Sequence, residues 1–187
     1  MKVFGIFLCV TLLLFSCSDL KKSDQLNAIG QLQTELDSLE IVVKSHEIDT
    51  ISALMVATNT VELRIKNYYD SDTINIELGK KMNAYKLMRR SLSPLGRSYS
   101  TLKNGIKEQR EQLSNLKSDI ENGNGKRNEY DSYVKHEQSK TMQLKSVLNE
   151  YIKEKNKTMK TFHELHPYLD SFSRQQVELY NKKHPKR

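Results

Sequence analysis

Two histidines flank an acid in the run His163-Glu164-Leu165-His166. A zinc hydrolase site needs histidines four residues apart on one helix, so that both imidazoles reach one ion, with a glutamate beside the first. Here the spacing is three, Pro167 follows at once and no further ligand stands close by, so no metal is expected. The pair reads as a helix C-terminus, where imidazoles sit well against the negative pole of the dipole. Glu108 with Glu111, and Glu150 with Glu154, could divide acid and base roles. They fall instead at the spacings of solvated helix faces, and Lys153 and Lys157 stand beside the second pair. No serine sits in a nucleophile elbow with histidine and aspartate partners in recognisable order. Gly123 and Gly125 follow no strand pattern, so they do not form a phosphate-binding loop. The inventory predicts no catalytic residue, no cofactor and no enzymatic activity.

The remaining reactive groups are two thiols, Cys9 and Cys17. Lys2 gives a basic start, and Val3 to Phe15 form an apolar block interrupted only by Gly5 and Thr11. That block is shorter than the roughly 20 residues a spanning helix requires, and it reads as an export signal. It ends in Leu14-Phe15-Ser16-Cys17, with an aliphatic and a small residue placed before the thiol. Cys9 leaves with the leader, so Cys17 is the single cysteine of the processed chain and no disulfide can form.

The leader resembles those of lipoproteins of Gram-negative bacteria, and the Lys/Asn-rich body resembles small helical lipoproteins of the Bacteroidota. The resemblance implies a signal peptide at 1–16 and a mature chain that starts at Cys17, the lipidation site. Two acyl chains there would hold the protein stably at a membrane, where one chain holds only marginally. Ser18 follows the cysteine where an aspartate would favour the inner membrane, which implies the outer membrane. Asp19 is followed by Lys21 and Lys22 rather than by an acidic run, which implies the periplasmic face, with surface display as the alternative. The same phylum O-glycosylates Asp-Ser/Thr triplets before an apolar residue, a pattern met at Asp37-Ser38-Leu39, Asp49-Thr50-Ile51 and Asp72-Thr73-Ile74.

The elements that must carry these residues are helical. There is no Trp, and the net charge is +7. Residues 17–84 hold 7 basic and 11 acidic side chains, whereas residues 85–187 hold 22 and 12. The basic part could face an acidic partner or a cell-wall polymer. It carries no zinc finger, ribonucleoprotein motif or aromatic platform, so nucleic acid is not an expected partner.

After a polar tether at 17–24, apolar residues recur at helical spacing from Leu26 to Val43 and less strictly through Ile51, Val61 and Ile65. This predicts one run of helix. A break follows at Asn67–Thr73, with Asp70, Ser71 and Asp72 as capping candidates. A second helix is expected over Thr73–Ser91, and Ser93-Pro94 either caps the next or kinks a continuous one. Leu95, Tyr99, Leu102, Ile106, Gln109, Leu113, Leu116 and Ile120 then form a heptad seam. The Asn122-Gly123-Asn124-Gly125 turn closes it, and a return helix runs from Tyr130 to Phe162.

The expected architecture is all-α: an elongated antiparallel hairpin or coiled coil over 95–166, with additional N-terminal helices, in a bundle of three to five helices. A short C-terminal helix is expected at 167–181, and 25–187 as a single domain. Gln109, the seam's polar member, is expected to fix register or face a pocket. Tyr68 and Tyr69 point about 100° apart if helical, so either one packs while the other is exposed or both wedge a helix junction, with an interaction surface as the further reading.

The expected function is that of a membrane-tethered, non-enzymatic spacer, scaffold or accessory subunit of the cell envelope. An envelope protein, a cell-wall polymer or a second copy of the chain is its expected partner. The alternatives are a ligand- or peptide-binding module, with a pocket lined by Tyr68, Tyr69, Tyr99 and Tyr151, and an immunity or inhibitor lipoprotein.

Overall fold

A computed structural model describes the backbone of residues 2–185 and the side chains of residues 21–185. Leu14 to Cys17, where lipidation is expected, and the tail residues Lys186 and Arg187 lie outside the residues whose side chains are described. The protein is all-α. Its helices are α1 (Lys2–Ser45), α2 (Ile51–Tyr68), α3 (Ile76–Asn122) and α4 (Tyr130–Lys183), with a 3-10 turn at Arg127–Glu129. There is no strand among the described residues.

The chain forms two compact units, and α3 and α4 contribute to both. The first unit packs α1 against Leu102–Leu148. Ile29, Leu32, Leu36, Leu39 and Val43 are buried along α1, in alternating steps of three and four. They face the expected seam of α3, in which Leu102, Ile106, Leu113, Leu116 and Ile120 are buried. This is the pattern of helices that meet along a narrow apolar stripe. Lys21 to Asp24, expected as a tether, are helical and belong to α1.

The turn between α3 and α4 closes as the glycines predict. Gly123 and Gly125 have φ of 68° and 76°, in the left-handed region. Asn124 N–H donates to Asp119 C=O at 2.8 Å and Gly123 N–H to Ile120 C=O at 3.3 Å. This pair of bonds is the Schellman arrangement that satisfies the last helix carbonyls. The Tyr130 hydroxyl also donates to Asp119 C=O at 3.0 Å, tying the start of α4 to the end of α3.

The second unit comprises His46–Thr101 and the remainder of α4 from Asn149. Its core gathers Val61 and Ile65 of α2, Leu78, Tyr85, Met88 and Leu92 of α3, and Leu169 of α4.

Three expectations about helix ends are corrected, and one pair of alternatives is decided. The N-terminal run is two helices, parted at His46–Thr50 with no glycine or proline there. The Tyr151 hydroxyl, donating at 2.7 Å to His46 C=O, satisfies a carbonyl that the break exposes. The cap of α3 is Asn75, whose Oδ1 accepts from Leu78 N–H at 2.9 Å. Of the expected caps, Ser71 instead bonds within its own loop to Thr73. Of the two readings of Pro94, the continuous helix holds, since Pro94 lies inside α3. Pro167 does not end α4, which continues to Lys183, so the 167–181 segment is no separate helix. A proline inside a helix loses one bond and crowds the preceding turn. Both rings are exposed, so the carbonyls left without an N–H partner lie on the solvent side.

Candidate functional site: a tyrosine–histidine cluster and a basic cleft

In the second unit, Tyr85 of α3 is fully buried. Its hydroxyl meets His166 Nδ1 of α4 at 2.5 Å. The imidazole is stacked on Phe162 with centroids 4.5 Å apart. Asp170, one helical turn beyond His166, accepts from Arg64 Nη1 of α2 and from Arg174 Nε, both at 2.9 Å. Three helices are thereby joined through ring and ion contacts.

Burial, with the charges of Asp170 and Glu62 adding to it, pushes the Tyr85 phenol far above the ordinary tyrosine value. Burial lowers His166, and the nearby Asp170 charge partly opposes this. Burial raises Asp170, but the Arg174 bond and charge, followed by the charges of Arg64 and His166, hold it below the usual carboxylate value. These directions fit a neutral phenol donating to a neutral imidazole. Desolvation disfavours the charged form of each ring, and charged partners favour the ionised carboxylate.

The histidine pair does not converge. His163 is exposed and lies edge-on to Phe162, while His166 turns inward to Tyr85. Neither lies at a helix C-terminus, because α4 runs past both. Among the described residues no three His, Cys, Asp or Glu side chains gather as a metal site would need.

Tyr68 and Tyr69 both pack against α4, Tyr68 edge-on to Tyr180 at 5.3 Å and Tyr69 on Phe172 at 5.7 Å. The 100° separation does not apply to them. Tyr68 is the last residue of α2, and Tyr69 is extended, with φ −77° and ψ 114°. Tyr99 and Tyr151 instead face each other at 6.0 Å. Burial and the Glu47 carboxylate push Tyr99 up to about 12, and burial followed by the Tyr99 and Glu47 charges brings Tyr151 to about 12. Tyr151 and Phe172 are separated by about 30 Å of helix at 1.5 Å per residue. The four tyrosines therefore line no common pocket.

Gln109 is in the first unit, buried against α4. Its Nε2 donates to Glu137 C=O at 3.0 Å and to Glu137 Oε2 at 2.8 Å, with Thr141 Oγ1 at 3.4 Å. One helical turn before it on α3, Gly105 lets α4 approach closely: a Cβ there would stand 2.9 Å from Leu144 Cδ2.

Two features were missed in the sequence. The Tyr85–His166 contact joins residues far apart in the chain and has no local signature. The second is a cleft of about 330 Å³ in the first unit, lined by Lys21, Lys22 and Gln25 of α1 and by Glu121, Gly123 and Arg127 at the turn. The cations were visible individually; only the fold brings those of α1 to the turn. Of the triplets resembling glycosylation sites, Asp37-Ser38-Leu39 lies within α1 with Leu39 buried, whereas Asp72-Thr73-Ile74 is in the exposed loop before α3.

Among the described residues no helix is long and apolar enough to cross a membrane. No family model, curated protein or solved structure matches the chain.

Proposed function

We propose that this chain is a lipid-anchored, non-enzymatic helical lipoprotein of the Gram-negative envelope. It is held through Cys17 at the periplasmic face of the outer membrane, where it acts as a scaffold, spacer or accessory subunit. The observation that carries this reading is the run Leu14-Phe15-Ser16-Cys17 at the end of an apolar block with a basic start. A thiol at that place accepts diacylglycerol as a thioether, and the new amino terminus accepts a further acyl chain. No other cysteine remains downstream to compete.

A scaffold role is supported by apolar side chains left outside the two cores. Val56 and Leu63, seven residues apart on α2, share an exposed face, and Ile74 and Ile76 stand exposed just before and at the start of α3. Such surface suits a partner helix or an envelope protein.

Metabolic labelling with a clickable palmitate analogue tests the anchor. The native chain is expected to take up label and sediment with membranes, and Cys17→Ser to lose both. Label that persists in Cys17→Ser overturns the assignment. Crosslinking with mass spectrometry in the native envelope tests the scaffold role. Links from the α2 face to one recurring envelope protein support it, and an absence of any intermolecular link overturns it.

A further inference from the structure

We propose that the cleft between α1 and the hairpin turn seats the phosphate-bearing headgroup of an anionic phospholipid, belonging to the membrane that carries the chain. Three cations line this cleft, Lys21 and Lys22 from α1 and Arg127 from the turn, against one carboxylate, Glu121. That carboxylate lies 4.0 Å from Lys117 on its own helix. Lys126 adjoins Arg127 in the chain and pairs with Glu129 at 3.1 Å.

The two inner cations are held in place by backbone rather than by acids. Lys22 Nζ donates to Glu121 C=O at 2.8 Å, and Arg127 Nε donates to Gly123 C=O at 2.9 Å. An ammonium has three donors and a guanidinium five, so most of their donors remain for a ligand. The guanidinium lies against the face of Gly123, in the space that a Cβ would occupy. The turn glycine thus sets the direction of Arg127 as well as the reversal of the chain. A planar guanidinium beside two ammonium groups suits phosphate oxygens, which it can bind in a bidentate manner.

These cations also neutralise carbonyls at the C-terminal end of α3, and helix capping alone would account for one bond from each. It does not account for Lys21, which is exposed and lines the same cleft. The choice of lipid over free phosphate rests on the anchoring at Cys17 proposed above. Lys21 follows Cys17 by about one helical turn, roughly 6 Å along the axis. An acylated Cys17 would keep the cleft at headgroup level. Cations at an anionic membrane surface each strengthen binding roughly fivefold and act only within about a Debye length.

The test uses the full chain carrying Cys17→Ser, so that no acyl chain contributes. It is titrated with vesicles of phosphatidylcholine alone and with vesicles of equal phosphatidylcholine and phosphatidylglycerol. The apolar leader binds both kinds, so the readout is the ratio of the two affinities. A preference for the anionic vesicles is expected, reduced roughly fivefold by each of Lys21→Gln, Lys22→Gln and Arg127→Gln. Lys182→Gln/Lys183→Gln, at the far end of α4, is expected to leave it unchanged. Circular dichroism checks the fold, and Lys21→Gln, at an exposed residue, carries the test if Arg127→Gln loosens the turn.

A preference that survives all three cleft changes, or that falls equally with the Lys182/Lys183 pair, overturns the proposal. So does its abolition by inorganic phosphate at matched ionic strength, which would make the ligand a soluble anion. Palmitate label at Cys17 without a vesicle preference would remove the cleft and leave the anchor. A cleft-dependent vesicle preference without label would remove the anchor and leave the cleft as a headgroup site.

Discussion

The two units have different interiors. The first is aliphatic: Ile29, Leu36, Val43, Leu102 and Leu113 fill it, with one polar knot at Gln109, Glu137 and Thr141. The second is built around rings and charges, with Tyr85 at the centre, His166 and Phe162 against it, and Arg64, Asp170, Arg89 and Glu62 around it. Aliphatic stripes fix which faces meet but are tolerant of sliding by a heptad. A single buried donor–acceptor set removes that freedom. Directional contacts fix register at every pair, at the cost of dependence on a few groups. The first unit should therefore spread its stability over many residues, and the second concentrate it.

The largest expected effect is at Tyr85. Tyr85→Ala empties a fully buried ring site and leaves His166 without its partner, for a loss of about 3–5 kcal/mol. Leu113→Ala, equally buried in the first unit, should cost about 2–4 kcal/mol, because neighbouring aliphatic side chains can close part of the space. Urea unfolding measures both. Hydrogen exchange should show the Tyr85→Ala loss concentrated in α2 and in the parts of α3 and α4 within the second unit. A larger loss for Leu113→Ala would reverse the contrast.

Next comes the polar knot. Gln109→Leu takes the amide donor from the mostly buried Glu137 carboxylate and leaves it Lys140 at 3.4 Å, at about 1–2 kcal/mol. Gln109→Leu/Glu137→Leu should recover most of that, since an apolar pair of similar volume is often neutral or stabilising relative to a buried polar one. The double variant should then show doubled amide resonances along 102–148, as the helices sample a second register. A single set of resonances would mean that the aliphatic stripe alone fixes register.

The two interiors also differ in how far the sequence discloses them. The part of the seam in the first unit, from Leu102 to Ile120, was legible because its period is local and its glycine-containing stop is strong. The ring cluster was not, because Tyr85 and His166 meet only through the fold. Helix ends were legible where backbone conformation demanded glycine and illegible elsewhere. His46–Thr50 breaks without a breaker residue, while Pro94 and Pro167 break nothing because solvent receives their stranded carbonyls. Asn75 took the cap from Asp70 and Asp72 because α3 begins later than the pattern suggested. Adjacent Tyr68 and Tyr69 both pack because the helix ends between them.

The pH response should separate the units further. His166 is lowered from the ordinary 6.5 by burial, so the unfolded chain binds its proton more readily than the folded one. The stabilisation is complete above pH 6.5 and is lost as pH falls through the folded value. Asp170, also lowered, contributes in the same direction below its ordinary 3.8. Unfolding midpoints should therefore fall on acidification below 6.5, and His166→Gln should flatten that segment of the curve. An unchanged curve in His166→Gln would detach the histidine from the stability of the second unit.

The smallest expected difference concerns two arginines that look alike. Arg110 reaches Asp37 and Glu40 of α1 in the first unit, and Arg89 donates to Glu62 at 2.9 Å in the second. Arg110 and its partners are each at least 39% exposed, whereas Glu62 is 16% exposed. Exposed pairs gain little, because water screens the attraction and two long side chains lose freedom, so Arg110→Ala should cost below about 1 kcal/mol. Arg89→Ala leaves a largely buried carboxylate unpaired and should cost about 1–3 kcal/mol. Salt sharpens the test: raising ionic strength should erase the Arg110 contribution, since Debye screening acts on exposed charges, and spare most of the Arg89 contribution. Equal sensitivity to salt would mean that Glu62 sees as much solvent as Asp37 does, and the second unit would lose its distinction as the one held by desolvated charge.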